Sequence, residues 1–169
     1  MAKALSEHPK ADQPMVHQAM LELGEAKMGL GQTDQAMEAL KKASDSDEIT
    51  GAKAMALLGD AWFAKAVQAA KDGKTEDSKS NFDEAIDVYR SLYFGWRNTG
   101  SDEIKSWQAY AAYGSGRCNM VQIKTADATR RPGLVSEAKR HFQSLVKKFP
   151  EDKHVAEAKK HLETLEKLK

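Results

Sequence analysis

The sequence predicts an all-α protein, and three features of its 169 residues carry that reading. It holds 25 alanines but only 18 valine, isoleucine and threonine residues, a balance that favours helix over sheet. Its four prolines, at 9, 14, 132 and 150, leave 117 consecutive residues free of proline. Apolar residues recur at threes and fours, and nothing alternates with a period of two for long. Lys plus Arg (26) and Asp plus Glu (25) nearly cancel to a net charge of +1, which argues against a dedicated polyanion binder. A single cysteine, Cys118, excludes a disulfide scaffold. No apolar run nears the roughly 18 residues that cross a bilayer as a helix. The start lacks the apolar core of a secretory signal, which fits either a cytoplasmic chain or an excised piece of a longer, exported one.

The elements follow in order. Met15, Val16, Ala19, Met20, Leu23, Ala26 and Met28 trace one face of a first helix, which ends at Gly29-Leu30-Gly31. Ala36, Met37, Leu40 and Ala43, after Thr33, give a second helix that stops in the polar cluster Ser44 to Glu48. A third spans Ile49 to Lys71 and stops near Asp72-Gly73. Lys74 to Ser80 is polar and reads as a loop or an exposed first turn. Asn81 with Glu84 has capping-box spacing and starts a fourth helix that carries Phe82, Ala85, Ile86, Tyr89 and Leu92 and ends between Trp96 and Gly100. Ser101 caps a fifth, with Ile104, Trp107, Tyr110, Ala111, Gly114, Cys118 and Val121. Arg131-Pro132-Gly133 breaks the chain before a sixth, with Val135, Ala138, Phe142 and Leu145. Pro150 precedes a seventh from about Lys153, with Val155, Ala158, Leu162 and Leu165.

Two phrases repeat along these helices. The odd ones share Leu23-Gly24-Glu25-Ala26-Lys27, Leu58-Gly59-Asp60-Ala61-Trp62 and Tyr113-Gly114-Ser115-Gly116-Arg117, each with an apolar residue three before the first (Met20, Met55, Tyr110). The even ones share Ala36-x3-Leu40, Ala85-x3-Tyr89 and Ala138-x3-Phe142, the last followed by Pro150. A mid-helix glycine costs roughly 1 kcal/mol against alanine, so its return at one phase implies a close backbone approach there. Gly24 is expected to face Ala36, with Gly59 and Gly114 likewise against their partner helices and Leu40, Tyr89 and Phe142 filling the groove toward the next repeat.

These residues resemble the tetratricopeptide repeat, W-x2-L-G-x2-Y, then A-x3-F, then P, over about residues 15–165. The resemblance implies a right-handed α-solenoid of three hairpins (about 15–48, 49–100 and 101–150) with a capping helix over 151–169. Residues 1–14 would be an N-terminal cap or remnant: Glu7-His8-Pro9 is similar to the closing phrase Lys148-Phe149-Pro150. Lys27 and Arg117 replace the family's aromatic. The separation of glycine from alanine is 12 residues in the first repeat, 26 in the second and 24 in the third. The 14 and 12 extra residues therefore lie at the hairpin tips. Shared evenly, 14 residues add seven to each arm, about two turns. The expected result is long first arms side by side, with Val67 and Val121 on a common ridge and the polar segments Lys74–Ser80 and Thr125–Arg131 partly covering it.

The family function implied is a non-enzymatic interaction scaffold that takes a peptide or partner helix in a concave groove or along the elongated hairpins, with no cofactor. Matching phrases residue by residue places Gln18, Glu22, Glu25, Lys53, Asp60, Phe63, Gln108, Ser115 and Asn119 on the groove. The branch that clamps C-terminal carboxylates uses Lys and Asn where this chain has Leu21 and Glu25, so that specificity is absent. Phe142 to Pro150 followed by Ala158-x3-Leu162 is similar to bacterial envelope members, such as outer-membrane assembly lipoproteins and coordinators of the Tol-Pal system.

No phosphate loop, zinc spacing, nucleophile elbow or calcium loop occurs. Cys118 lies on an apolar helix face and reads as a buried structural thiol. His154, Glu157 and His161 share one face of the last helix at a spacing that could bind a metal weakly, but exposed polar residues are expected on a capping helix anyway, and no metal site is assigned. Most aromatics fall at core positions; Tyr93, Phe94 and Trp96 sit at a helix end. Residues 101–169 carry 14 basic and 9 acidic side chains, against 5 and 9 in residues 1–50. Lys139, Arg140, Lys147, Lys148, Lys159 and Lys160 thus give the alternative reading, an adaptor that binds nucleic acid or an anionic surface. Interspersed Glu137, Glu151, Asp152 and Glu157 argue for a solvated surface instead.

Overall fold

The computed structural model describes residues 13–96 and 100–168; the reading of Glu7-His8-Pro9 as a closing phrase lies outside them. Seven helices occur among the described residues and no strand: α1 (Gln13–Gly29), α2 (Thr33–Ala43), α3 (Ile49–Lys71), α4 (Thr75–Gly95), α5 (Asp102–Thr125), α6 (Arg131–Lys148) and α7 (Val155–Glu166). Consecutive helices form three antiparallel hairpins, α1/α2, α3/α4 and α5/α6. The first arms stack on one another, α1 on α3 and α3 on α5. Each return arm packs against its own partner and against the first arm of the next hairpin, α2 on α3, α4 on α5 and α6 on α7. This is the layering of an α-solenoid.

The loops α1–α2 and α3–α4 are the same turn. Gly31 and Gly73 hold φ of 70° and 73°, a left-handed conformation that glycine adopts without strain. Gln32 N–H donates to Lys27 at 2.9 Å and Gly31 N–H to Met28 at 3.0 Å; Lys74 to Ala69 (2.9 Å) and Gly73 to Ala70 (3.2 Å) repeat the pattern. Both are Schellman stops. The longer α5–α6 loop is closed by Asp127, whose carboxylate accepts from the N–H groups of Thr129 (2.9 Å) and Arg130 (2.8 Å).

Two starts differ from the sequence reading. Helix α4 begins at Thr75, so Asn81 lies inside the helix and caps nothing. Lys74–Ser80 looks like loop because all seven of its residues are polar or charged, yet α4 packs along α3 and Ser78 is buried. Arg131-Pro132-Gly133 does not break the chain before α6 but forms its first turn, where proline's missing N–H costs nothing. Ser101 is the residue before α5, as expected, but its side chain makes no cap bond.

Elongation of the second hairpin is even. Counted from Gly59, α3 runs 12 residues on to Lys71, against 5 from Gly24 to Gly29; α4 starts 10 residues before Ala85, against 3 before Ala36 for α2. Each arm gains seven, and the return arm is as helical as the first.

Burial explains the stacking. The eight buried residues of α3 are all glycine or alanine, so its neighbours approach from every side. In α5 the run Ala111-Ala112-Tyr113-Gly114-Ser115-Gly116 is buried on all sides, the mark of a central helix. The apolar interior is in two parts: a large cluster from α3 through α7, and a smaller one of Met20, Leu21, Leu40, Ala43 and Ala54 under the first hairpin. No described helix is long and apolar enough to cross a membrane.

Candidate interaction surface on the first-arm helices

Gly24 meets Leu40 as its nearest side chain: a Cβ built there falls 2.6 Å from Leu40 Cδ2, with the Ala36 carbonyl at 3.5 Å. Tyr89 fills the space over Gly59. In the third hairpin the equivalent glycine is Gly116, whose Cβ would lie 2.5 Å from Phe142 of the partner helix. Gly114 is equally tight, but against Tyr89 of the preceding hairpin (2.6 Å), not against α6. The phrase Tyr113-Gly114-Ser115-Gly116 contains two glycines two residues apart, and the sequence alone aligns the first.

That shift of two residues relocates the third hairpin's share of the surface. Gln108, Ser115 and Asn119, assigned from Gly114, are buried at 6%, 1% and 3% exposure and present nothing on this face. Offsets of −6, +1 and +4 give Gln18 and Glu25 from Gly24, then Lys53, Asp60 and Phe63 from Gly59. From Gly116 the same offsets give Tyr110, Arg117 and Met120, all half-buried. The structure brings two of these to Asp60 and Phe63. Tyr110 had read as core packing and Arg117 as a lost aromatic; the second glycine was the signal for both.

Asp60 is the centre of this surface. Its carboxylate accepts from Tyr89 Oη of α4 (2.7 Å) and from Tyr110 Oη of α5 (2.7 Å to Oδ2). Burial raises the Asp60 pKa above the usual carboxylate value, while the two phenols and the Arg117 charge pull it back in part. Both tyrosines are held above the ordinary phenol value, by burial first and by the Asp60 charge next. The Arg117 guanidinium lies 4.7 Å from the Phe63 ring centre and 5.7 Å from that of Tyr113. Among the described residues it has no carboxylate within ion-pair distance.

Polar pairs extend the surface on both sides. Toward α1, Lys53 bridges to Glu25 at 2.7 Å, Gln18 donates to Glu22 at 3.0 Å and Thr50 donates to Gln18 at 3.3 Å. Toward α7, the His154 ring stacks on Tyr113 (4.8 Å, 21°) and His161 on Phe142 (4.9 Å, 19°). Glu157 is held below its usual pKa, chiefly by the Tyr113 hydroxyl. The two histidines are thus ring-packed. No group of three or more metal-ligating side chains occurs among the described residues.

Other candidates fall elsewhere. Cys118 is fully buried, and burial pushes its thiol up to about 12, far from a reactive thiolate. Of the six basic residues near the C-terminus, Arg140 pairs with Glu137, and Lys148 lies over the rings of Tyr93 (4.6 Å) and Phe94 (5.7 Å). Tyr93 is buried, whereas Phe94 is 65% exposed.

In comparisons with known proteins, residues 18–46 match the family described as Tetratricopeptide repeat. The match covers the first hairpin, the one whose glycine-to-alanine spacing has no insertion. No curated protein matches the chain, and no solved structure does.

Proposed function

We propose, from the premise that the chain carries a tetratricopeptide repeat at residues 18–46 and stacks two longer hairpins behind it, that it is a protein-interaction scaffold. Its binding surface is the face of α1, α3 and α5 that bears Gln18, Glu22, Glu25, Lys53, Asp60 and Phe63, completed by Tyr110 and Arg117. Tetratricopeptide repeats mediate protein–protein contacts and are typically not enzymes. The observation that carries the placement is the row Glu25, Asp60, Arg117, one residue after the packed glycine of each hairpin. Side chains at one phase of three stacked helices form a continuous strip, and these three are polar where the glycine beside each is buried.

The strip suits an extended peptide or a helix. Arg117 is a planar donor array held by two rings, with no carboxylate at ion-pair distance among the described residues, so it is preorganised for an acidic group of the partner. The half-buried ring of Phe63 provides the apolar contact beside it.

Peptide-library selection against the purified chain, followed by amide chemical-shift mapping of the best binder, tests this. Perturbations are expected along Gln18, Lys53, Phe63 and Arg117, and Arg117→Ala should weaken binding at least tenfold. Shifts confined to Lys139, Lys147, Lys159 and Lys160, with affinity falling steeply as salt rises, would overturn the placement in favour of a phosphate-binding role.

A further inference from the structure

Helices α4 and α6 stand apart. They are joined near one end by Tyr93, whose hydroxyl donates to Ser144 at 3.1 Å, and between them lies an open cleft of about 260 Å³. Its floor is α5. Two residues along a helix turn it by about 200°, so Asn119 points to the side of α5 opposite Arg117, away from the surface described above.

The floor residues are unusual. Asn119 and Gln122 are 3% and 6% exposed, both line the cleft, and Asn119 Oδ1 and Gln122 Nε2 have no hydrogen-bond partner among the described residues. Gln122 Oε1 already accepts from Arg130, at 3.4 Å, which fixes the amide orientation and leaves the NH₂ as the orphan. An unpartnered buried amide atom costs about 1–3 kcal/mol, so two of them one helical turn apart on one cleft call for a reason. The terminal torsions of Asn and Gln are broad, so a modest turn brings either group to an occupant.

The walls say what kind of occupant. Asp83 and Asp87 stand on α4 and Glu137 on α6, against a single lining cation, Arg90. Arg90 is 3.7 Å from Asp87, and Glu137 pairs with Arg140, but Asp83 has no ion pair among the described residues. His141, at the same wall, is held neutral by burial and adds no positive charge. With Asp87 held by Arg90 and Glu137 by Arg140, Asp83 is the wall carboxylate left without an ion pair among the described residues, above a floor that offers a free acceptor and a free donor.

We propose that this cleft is a second docking site, which receives an arginine side chain of a protein partner. The guanidinium donates to Asn119 Oδ1 and to the Asp83 carboxylate, and a main-chain carbonyl of the same partner segment accepts from Gln122 Nε2. Guanidinium fits better than ammonium because its planar donors reach floor and wall together. A phosphate or an acidic peptide is disfavoured by the same wall charge.

The experiment is an NMR titration of the full chain with N-acetyl-L-argininamide, with N-acetyl-L-norleucinamide as the neutral control. Saturable shifts of the Asn119 and Gln122 side-chain NH₂ signals are expected with the arginine probe alone. Asp83→Asn combined with Asp87→Asn changes two exposed residues and should weaken binding at least tenfold. Asn119→Leu should also abolish the response while the chain stays as stable as before or becomes more so, because a buried orphan is removed; that separates lost binding from lost folding. Equal shifts with the neutral probe, no saturation, or unchanged affinity in the double variant would each overturn the proposal.

Discussion

Tyr89 lies across Gly59 of its own hairpin and Gly114 of the next, and its hydroxyl donates to Asp60 at 2.7 Å. One side chain thus fixes the spacing of α3 and α5 and satisfies a half-buried carboxylate between them. It is 1% exposed.

Gly59→Leu should therefore destabilise strongly, since even the first added carbon overlaps the Tyr89 ring. Overpacking of this kind typically costs about 1–3 kcal/mol. Gly29→Ala is the control: a Cβ there meets nothing within 4 Å, and the change should be neutral or slightly stabilising. Urea melts of both variants check this, and an unchanged midpoint for Gly59→Leu would remove the close crossing from the account.

Asp60 sets a pH dependence of known sign. Its folded pKa is raised above the model-compound value of 3.8, so between 3.8 and that raised value the folded chain binds more protons than the unfolded one. Its contribution to stability falls as pH rises through this window and is constant above it. Subtracting the Asp60→Asn curve from the wild-type curve should expose that fall; a rising difference would contradict the burial of Asp60.

His141 has the opposite slope. Burial, with Arg140 beside it, lowers its pKa from 6.5 to about 4. The unfolded chain binds the proton more readily between those values, so stability is full above 6.5 and is lost as pH falls toward 4. His141→Gln should flatten the acid limb of the pH–stability curve between 6.5 and 4, as measured by urea midpoints.

Cys118 should react with a disulfide reagent only through opening of the fold. It is fully buried and burial pushes its thiol up to about 12, so native labelling at pH 8 should be slower than that of the urea-unfolded chain by orders of magnitude. A native rate near the unfolded one would show that the site between α3, α4 and α5 is open.

The even elongation of the second hairpin predicts an unusual tolerance. Removing 65–71 together with 75–81 takes seven residues from each arm, close to two full turns, and keeps the Asp72-Gly73-Lys74 turn. The paired deletion should retain cooperative melting, at lower stability because Ala66, Ala69 and Ser78 leave the interior. Removing either segment alone should melt far lower, since the remaining arm overhangs its partner. Circular dichroism melts of the three deletion variants distinguish these outcomes.

Where structure followed from local chemistry, the residues announced it. Gly31 and Gly73 mark the two tight turns because no other residue takes that backbone so cheaply, and helix α3 runs from Ile49 to Lys71 as its apolar spacing requires. The start of α4 was hidden, because Thr75–Asn81 is polar and its reason to be helical is packing on alanines of another helix. The third share of the interaction surface was hidden differently. Gly114 and Gly116 are both buried and both irreplaceable, and only their contacts, Tyr89 for one and Phe142 for the other, tell which sets the register. Asp60 was legible as a surface position, but its two phenol partners come from residues 29 and 50 positions away.

The divided interior gives the molecule a weak seam. The first hairpin holds to the rest chiefly through the small cluster that includes Ala54, and the bridges Glu25–Lys53 and Gln18–Thr50 run across that seam at the surface. Exposed bridges of this kind each contribute little on their own. A partner laid along α1 and α3 therefore spans the line at which the chain opens most easily, and part of its binding free energy goes into holding that line shut. Amide exchange in α1 and α2 then becomes a gauge of occupancy, fast in the free chain and slowed in proportion to how tightly the partner is held.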